Sequence, residues 1–408
     1  MVTQQEGSCV CIVYSADPLG DTPGGIDTFI RGVLRCAPPD IHMRVVGVTT
    51  DKSRRPVNRW TTCQLGRQTF EFYPVISVKN SQKQARFPVT LRFLLALLRR
   101  RVQIVADILE FHRIEPCLSF LGDGRPKALV MHQNMNVLRN ADSDIRWKYW
   151  PKLYFMLEDI LLPRFSSVYC VREDAATGYQ ERFPALTNRI HFTPTWVDTD
   201  TFRPPGVEER IHGRQVLAVT FGLTQDPFVL VTVGRLDKQK NPLLLIEAFR
   251  VLHESMPDAR LLLIGDGVLR GQIEDRLKRY GLEPAVMLCG VKPPPEVARY
   301  LQSADAFVLS SAYEGMPISV LEALGSGLPV VSTDVGEVAR VVHPGINGEL
   351  VSVHDADSLV CAIRHCRESI ERYRGKPCTD AVQDFTPAKV LRPIYENYRR
   401  LAAKPAGQ

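Results

Sequence analysis

The run AFVLSSAYEGMPISVLEALGSGLPVVST, residues 306–333, decides the fold. An apolar strand pattern (AFVLSS, 306–311) passes through a polar loop into a short apolar helix, and a second apolar strand pattern (PVVST, 329–333) follows. Neither strand alternates with polar residues, which is the pattern of parallel strands buried on both faces. The same unit recurs outward along the chain. Strands are expected at 9–15, 44–50, 107–113, 128–134 and 168–171, then at 228–234, 259–265 and 286–290, separated by segments of helical period. The chain therefore reads as α/β with parallel sheets.

At 408 residues it is too long for one ordinary core, and two domains of roughly 200 residues are expected. The stretch RIHFTPTWVDTDTFRPPG (189–206), rich in Pro, Thr and Asp, reads as the crossing between them. This predicts an N-terminal domain over 1–187 and a C-terminal domain over 188–385, with a closing helix over 386–404. Ligands of open parallel sheets bind beyond the carboxyl ends of the strands, so two such domains suggest a ligand gripped across a cleft.

Several classes are excluded. FLLALL (93–98) is far shorter than the roughly 20 apolar residues of a membrane span. MVTQQEGS lacks the basic and apolar regions of a secretory signal, so a cytoplasmic setting is expected. The ten cysteines form no C-x-x-C pair and the nine histidines no ligand cluster, so reduced thiols and no protein-held metal are expected. The net charge of +6 arises wholly in residues 1–200, which hold 26 Lys+Arg against 20 Asp+Glu; the remainder holds 25 of each. An anionic partner for the first half is expected, a membrane surface or an acidic glycolipid and no nucleic acid.

Within the deciding run, Pro317 is placed to open a helix whose free Ile318 and Ser319 amides would attract phosphate. Glu314 lies in the loop before it. Glu322 lies among Ile318, Val320, Leu321, Ala323 and Leu324, where an unpaired carboxylate is costly and a ribose diol would satisfy it. A loop cap for Glu314 and a neighbouring cation for Glu322 are the plain alternatives. Upstream, GRLDKQKNP (234–242) sets Arg235 at a strand end and Lys240 five residues on, two cations suited to a diphosphate.

The order G-R-x-x-x-x-K and then E-G-x-P-x-x-x-x-E after a strand resembles the retaining, nucleotide-sugar-dependent glycosyltransferases of the GT-B fold. The resemblance covers nearly the whole chain and is more specific in its C-terminal half. It implies two Rossmann-like domains and a C-terminal helix crossing back to the first. It implies a UDP- or GDP-sugar donor, a glycan or lipid-linked hydroxyl acceptor, retention at the anomeric carbon, and neither metal nor cofactor. Arg235 and Lys240 would hold the diphosphate and Glu322 the ribose. Glu314, Gly315, Met316 and Pro317 would line the transferred sugar. A sugar-nucleotide-binding protein without activity, and a phosphorylase or epimerase of the same fold, remain as alternatives.

In the first half, Gly24 and Gly25 follow the first strand and would allow close approach of a phosphate. The resemblance places His132 on the transferred sugar and His112 on the acceptor side. GDGVLRG (265–271) imitates a dinucleotide fingerprint with the wrong spacing, so Gly265 and Gly267 are expected to permit close approach near the donor's base, which relatives also contact at the position of Val291. TDVGEVA (333–339) is shorter than the family's double-glycine version and is expected to stay clear of the diphosphate grip.

No acidic residue occurs from 72 to 106, where Lys79, Lys83, Arg86, Arg92, Arg99, Arg100 and Arg101 surround RFLLALL. Such a basic amphipathic segment can lie on anionic lipid at the inner face of the plasma membrane, aided by RWKYWPKLYF (146–155). A solvated face is the other reading.

Overall fold

A computed structural model describes residues 7–20, 25–78, 88–100, 103–132, 150–222, 227–353 and 355–403. The chain divides into two compact units, 1–195 with 387–408, and 196–386. The predicted crossing at 187/188 therefore moves to 195/196. The cause is a short strand, Ile190–Phe192, which pairs in parallel with Ser167–Cys170 and so belongs to the first sheet.

Among the described residues the first unit holds an eight-stranded sheet. In chain order its strands are β1 (Ser8–Val13), β2 (Ile41–Thr49), β3 (Thr61–Leu65), β4 (Gln68–Ser77), β5 (Ile108–Phe111), β6 (Lys127–Met131), β7 (Ser167–Cys170) and β8 (Ile190–Phe192). The spatial order is β3-β4-β2-β1-β5-β6-β7-β8, parallel except for β3 against β4. The β3–β4 hairpin escapes the sequence reading because β4 carries Pro74. That residue lies beyond the stretch paired with β3 and beside a register shift against β2, where a missing N–H is tolerated.

The second unit holds β9 (Phe228–Val233), β10 (Ala259–Ile264), β11 (Val286–Gly290), β12 (Ala306–Leu309), β13 (Val330–Thr333) and β14 (Gly348–Val351). They are parallel in the order β11-β10-β9-β12-β13-β14. This is the doubly wound order whose direction reverses between β9 and β12, and the crevice outside those two strand ends is where such sheets bind ligands. Alternate residues serve the two faces: Leu230, Leu261, Leu263 and Val308 enter one core cluster, and Val231, Leu262, Ile264 and Phe307 the other. Burial on both faces is what made these strands legible as uninterrupted apolar runs.

The closing helix, Pro387–Ala402, packs within the first unit against β1, β5 and the helix Gly25–Arg35. Val390, Leu391, Ile394 and Tyr398 form its buried stripe. The Tyr395 hydroxyl donates to the Val33 carbonyl at 2.7 Å, and Asn397 Nδ2 donates to Ser167 Oγ and the Tyr169 hydroxyl, each at 2.7 Å. Leu391→Ala removes a fully buried side chain from this stripe. It is expected to lower stability by about 2–5 kcal/mol, read from the chemical denaturation midpoint of the first unit.

Candidate functional site

Chain geometry at the β9 and β12 ends brings the carboxylates and cations together. Gly234 leaves β9 with Lys240 folded over it, and a Cβ there would stand 3.2 Å from Lys240 Cε. Lys240 Nζ donates to Glu314 Oε1 at 2.6 Å, and Ser311 Oγ donates to the same oxygen at 2.7 Å. Gln239 Nε2 reaches the other carboxylate oxygen at 3.4 Å and the Tyr313 carbonyl at 3.3 Å. Arg235 leans on Asp237 and Gln239, at 3.2 Å each, with two-thirds of its side chain exposed (66%). Ser310 Oγ donates to the Lys240 and Asn241 carbonyls, and the Ala312 amide to the Gln239 carbonyl, so the two loops are stitched into one wall.

Arg235, Lys240 and Glu314 thus belong to one network, in which Lys240 and Glu314 hold each other. Asp237, Gln239 and Ser311 escaped the sequence reading, because short polar residues in loops give no signal until the loops are paired.

Beyond Glu314 the chain opens the helix Ile318–Gly325. Pro317 is its extended N-cap rather than its first helical residue, and no side chain caps the helix. The Ser319 side chain is buried, and its Oγ has no hydrogen-bond partner among the described residues. A buried hydroxyl without a partner at an uncapped helix start is a costly arrangement that an anion would relieve. Met316 does not line this space: its side chain is buried in the apolar cluster with Val320 and Leu321. Gly315 offers its carbonyl to the Glu337 amide at 2.9 Å.

The segment 333–339 is closer to the site than expected. Gly336 takes φ +59, and a Cβ on it would stand 2.3 Å from the Gly315 carbonyl oxygen. It buttresses the Glu314–Gly315 backbone, which is a contact only a glycine permits.

Gly265 and Gly267 pack against protein. A Cβ on Gly265 would meet the Gly234 carbonyl oxygen at 1.9 Å, and one on Gly267 the Leu236 carbonyl oxygen at 2.5 Å. Their small size brings the loop after β10 against the Arg235 loop. Val291, just past β11, is exposed (55%).

Glu322 is partly buried, and among the described residues its carboxylate has no hydrogen bond or ion pair. Desolvation pushes its pKa up to about 7; Lys240 draws it down and Asp198 pushes it further up. Folding therefore shifts Glu322 toward its neutral form.

In the first unit, Gly25 begins the helix Gly25–Arg35 with open space beside its Cα, whereas Gly24 lies outside the described residues. His112 and His132 stand at the ends of β5 and β6, with His112 Nδ1 and His132 Nε2 2.9 Å apart. His112 is 2% exposed, and its other ring nitrogen is 2.7 Å from Glu110 Oε1. With both nitrogens occupied it supports His132 rather than reaching an acceptor. A cavity of about 30 Å³ is lined by Ile26, His112, Arg113, Glu115, His132 and Tyr154. Burial, aided by His112 and Arg113, holds the His132 imidazole well below its ordinary pKa, in the neutral form. Glu110 was missed, although a carboxylate inside the buried strand DILEFHR was its local signal.

The family described as "Glycosyl transferases group 1" matches residues 217–374. The chain is 30% identical over 169 residues to the uncharacterized glycosyltransferase MJ1059 of Methanocaldococcus jannaschii, covering 41% of this chain and 40% of that protein. It is 29% identical over 198 residues to the UDP-Gal:alpha-D-GlcNAc-diphosphoundecaprenol alpha-1,3-galactosyltransferase of Escherichia coli, covering 48% and 49%. The chain thus spans about half or less of the length of these curated relatives. Sucrose-phosphate synthase from Thermosynechococcus elongatus superposes with a TM-score of 0.73 at 20% identity, over 97% of this chain and 99% of that one. At that identity the likeness is one of fold, and the fold is GT-B.

Two outcomes follow from the geometry. Lys240→Met takes the ammonium away from the buried Glu314 carboxylate and is expected to cost about 3 kcal/mol in denaturation, with most of it regained in the K240M/E314Q double variant. Because the folded chain raises the Glu322 pKa, ionising it destabilises the fold: the penalty is absent below about pH 4.5 and complete above about pH 7. Relative to wild type, Glu322→Gln should therefore gain stability as pH rises through that window, read from paired melting curves.

Proposed function

From a GT-B chain whose residues 217–374 are a glycosyl transferases group 1 domain, we propose a retaining glycosyltransferase that moves a hexose from a UDP- or GDP-sugar to a hydroxyl of a glycan or lipid-linked acceptor. The observation that carries this reading is the uncapped helix start at Ile318, with the unpartnered Ser319 hydroxyl, beside Lys240 and Arg235. In this reading the amides and cations hold the pyrophosphoryl group of the donor. Charge grows on that group as the glycosidic bond to the sugar breaks. Arg235, Lys240 and the helix start stabilise it from fixed positions, in place of a metal, and no cofactor takes part.

In this reading the diphosphate shares Lys240 with Glu314, which keeps the ammonium aimed at the site and accepts from a sugar hydroxyl. Glu322, unpaired in the free protein, accepts from the ribose diol. His132 is a sugar-positioning residue. No side-chain base is assigned, since the leaving phosphate can take the acceptor's proton on the same face. The relative named for a UDP-galactose donor and a diphosphoundecaprenol acceptor supports the donor class and the lipid-linked acceptor, and through them a role in cell-surface polysaccharide synthesis.

A lipid-linked acceptor calls for a membrane-facing surface. No helix among the described residues is long and apolar enough to cross a membrane. The helix Val89–Arg100 instead exposes Leu91, Leu95 and Leu98 beside Arg92 and Arg99, and the helix Pro151–Leu161 exposes Leu153, Met156 and Ile160. Both pack on the segment Glu115–Phe120. We assign these faces to the anionic inner leaflet of the plasma membrane, with Arg92 and Arg99 meeting lipid phosphates. Lys79, Lys83, Arg86 and Arg101 lie outside the described residues.

Incubation with nucleotide sugars tests the central reading: nucleoside diphosphate should be released only when an acceptor is present, and the product should keep the donor's anomeric configuration. Acceptor-independent release or an inverted product would overturn it. Arg235→Ala is expected to lower kcat/KM by about 3 kcal/mol, and unchanged turnover would remove Arg235 from the mechanism. Sedimentation with phosphatidylglycerol vesicles should carry the protein down and phosphatidylcholine vesicles should not, with the L95E/L98E variant left in solution. Equal partition to both, or unchanged binding of the variant, would sink the membrane assignment.

A further inference from the structure

Behind His132 runs a polar chain that the proposed reaction does not use. His132 Nε2 faces His112 Nδ1 at 2.9 Å, with ring centroids 5.2 Å apart and ring planes 24° from parallel. His112 Nε2 faces Glu110 Oε1 at 2.7 Å. The other Glu110 oxygen accepts from the Tyr398 hydroxyl, on the closing helix and 288 residues away in sequence. The His112 and Glu110 side chains have no exposed surface. Phe29 sets its ring edge-on to both imidazoles, at 5.6 and 5.1 Å, and Tyr14 to His112 at 5.8 Å, so neither ring can turn freely.

The protons along this chain follow from its ends. With Glu110 as a carboxylate, which only accepts, Tyr398 donates to one of its oxygens and His112 donates to the other through Nε2. Neutral His112 then has a bare lone pair on Nδ1, which must accept from His132 Nε2–H. A doubly protonated His112 would reverse the last bond. That state would leave the proton on His132 Nδ1 instead, so the two arrangements differ at an observable nitrogen; Arg113, close by, faces Glu115 and the Tyr14 hydroxyl. Other ionisable neighbours among the described residues are Asp27, on the helix Gly25–Arg35, Tyr154, in the cavity wall, and Tyr169 and Tyr395, which face Glu110.

We infer that Glu110 and Tyr398 act as positioning residues that fix His132 as the Nε2–H tautomer, leaving Nδ1 as a hydrogen-bond acceptor for a ligand hydroxyl. Among the described residues, Nδ1 has no partner. A bare Nδ1 accepts from a hydroxyl and repels a carboxylate, whereas an imidazolium would attract one. The chain therefore selects a neutral hexose over a hexuronic acid. That specificity rests on the proposed role of His132 toward the sugar, whereas the tautomer does not. The closing helix thereby gains a part in the site: it supplies the last donor of the relay.

Nitrogen-15 histidine correlation spectra of the full chain without ligand test the inference, with the His132 signals assigned by their loss in His132→Ala. The expected spectrum shows a protonated Nε2 and a bare Nδ1 on His132 at neutral pH. Glu110→Gln should turn this into a tautomer mixture, and Tyr398→Phe, which keeps the carboxylate and provides a second route if the first variant does not fold, should do so in part. In either variant kcat/KM for a nucleotide hexose should fall about tenfold, and the native preference for hexose over the matching hexuronate should narrow. A proton on Nδ1 or an imidazolium in the native spectrum, or a tautomer unmoved by both variants, would overturn the relay. The expected spectra with no turnover on any donor would uphold the relay and count against the transferase reading instead.

Discussion

The ion pair between Lys240 and Glu314 is the constraint on which the second unit's site depends. Neither group is cheap to bury alone, and each makes the other affordable at the point where the sheet's winding reverses. The pair ties the loop after β9 to the loop after β12, the two loops outside the strand ends where such a sheet opens a crevice. Around it the supporting contacts are short and local: Ser311 on the carboxylate, Ser310 on the Lys240 backbone, Gln239 bridging to Arg235. Close packing of glycines completes the wall, with Gly265 against Gly234 and Gly336 against Gly315.

How much of this could be read from the chain varies with the range of the interaction. The strands of the second sheet were legible because burial on both faces leaves unbroken apolar runs such as ARLLLI and AFVL. Arg235, Lys240, Glu314 and Glu322 were legible as residue types at strand ends and a helix start. Their mutual bonding was not, because a spacing of seventy-four residues between Lys240 and Glu314 carries no local signal. Met316 misled for the opposite reason: adjacency to Glu314 suggested the same surroundings, yet successive residues at a loop end point opposite ways, and its side chain fills the core. The glycines were noticed but assigned to the ligand, since sequence shows the missing Cβ without showing what occupies its space.

The first unit follows a different logic. Its candidate group, His132, is held by a line of side chains running through the sheet to the closing helix, so the end of the chain completes what the β5 and β6 strand ends begin. Tyr395 and Asn397 dock the same helix through buried hydrogen bonds to Val33, Ser167 and Tyr169. A helix carrying so many polar contacts on its buried stripe has one register in which all are satisfied, and that register brings Tyr398 to Glu110. Periodicity predicted the helix; only the folded chain shows that it ends a relay.

The central claim is that a pyrophosphoryl group is held where the helix Ile318–Gly325 begins, by that helix start and the two cations beside it. A crystal structure with a bound nucleoside diphosphate tests it most directly. The account predicts terminal phosphate oxygens within hydrogen-bond distance of the Ile318 and Ser319 amides and of Ser319 Oγ, with Lys240 Nζ shared between phosphate and Glu314 and the ribose diol on Glu322. A nucleotide bound away from this helix start, with Ser319 Oγ still unpartnered and Lys240 bonded to Glu314 alone, would contradict it.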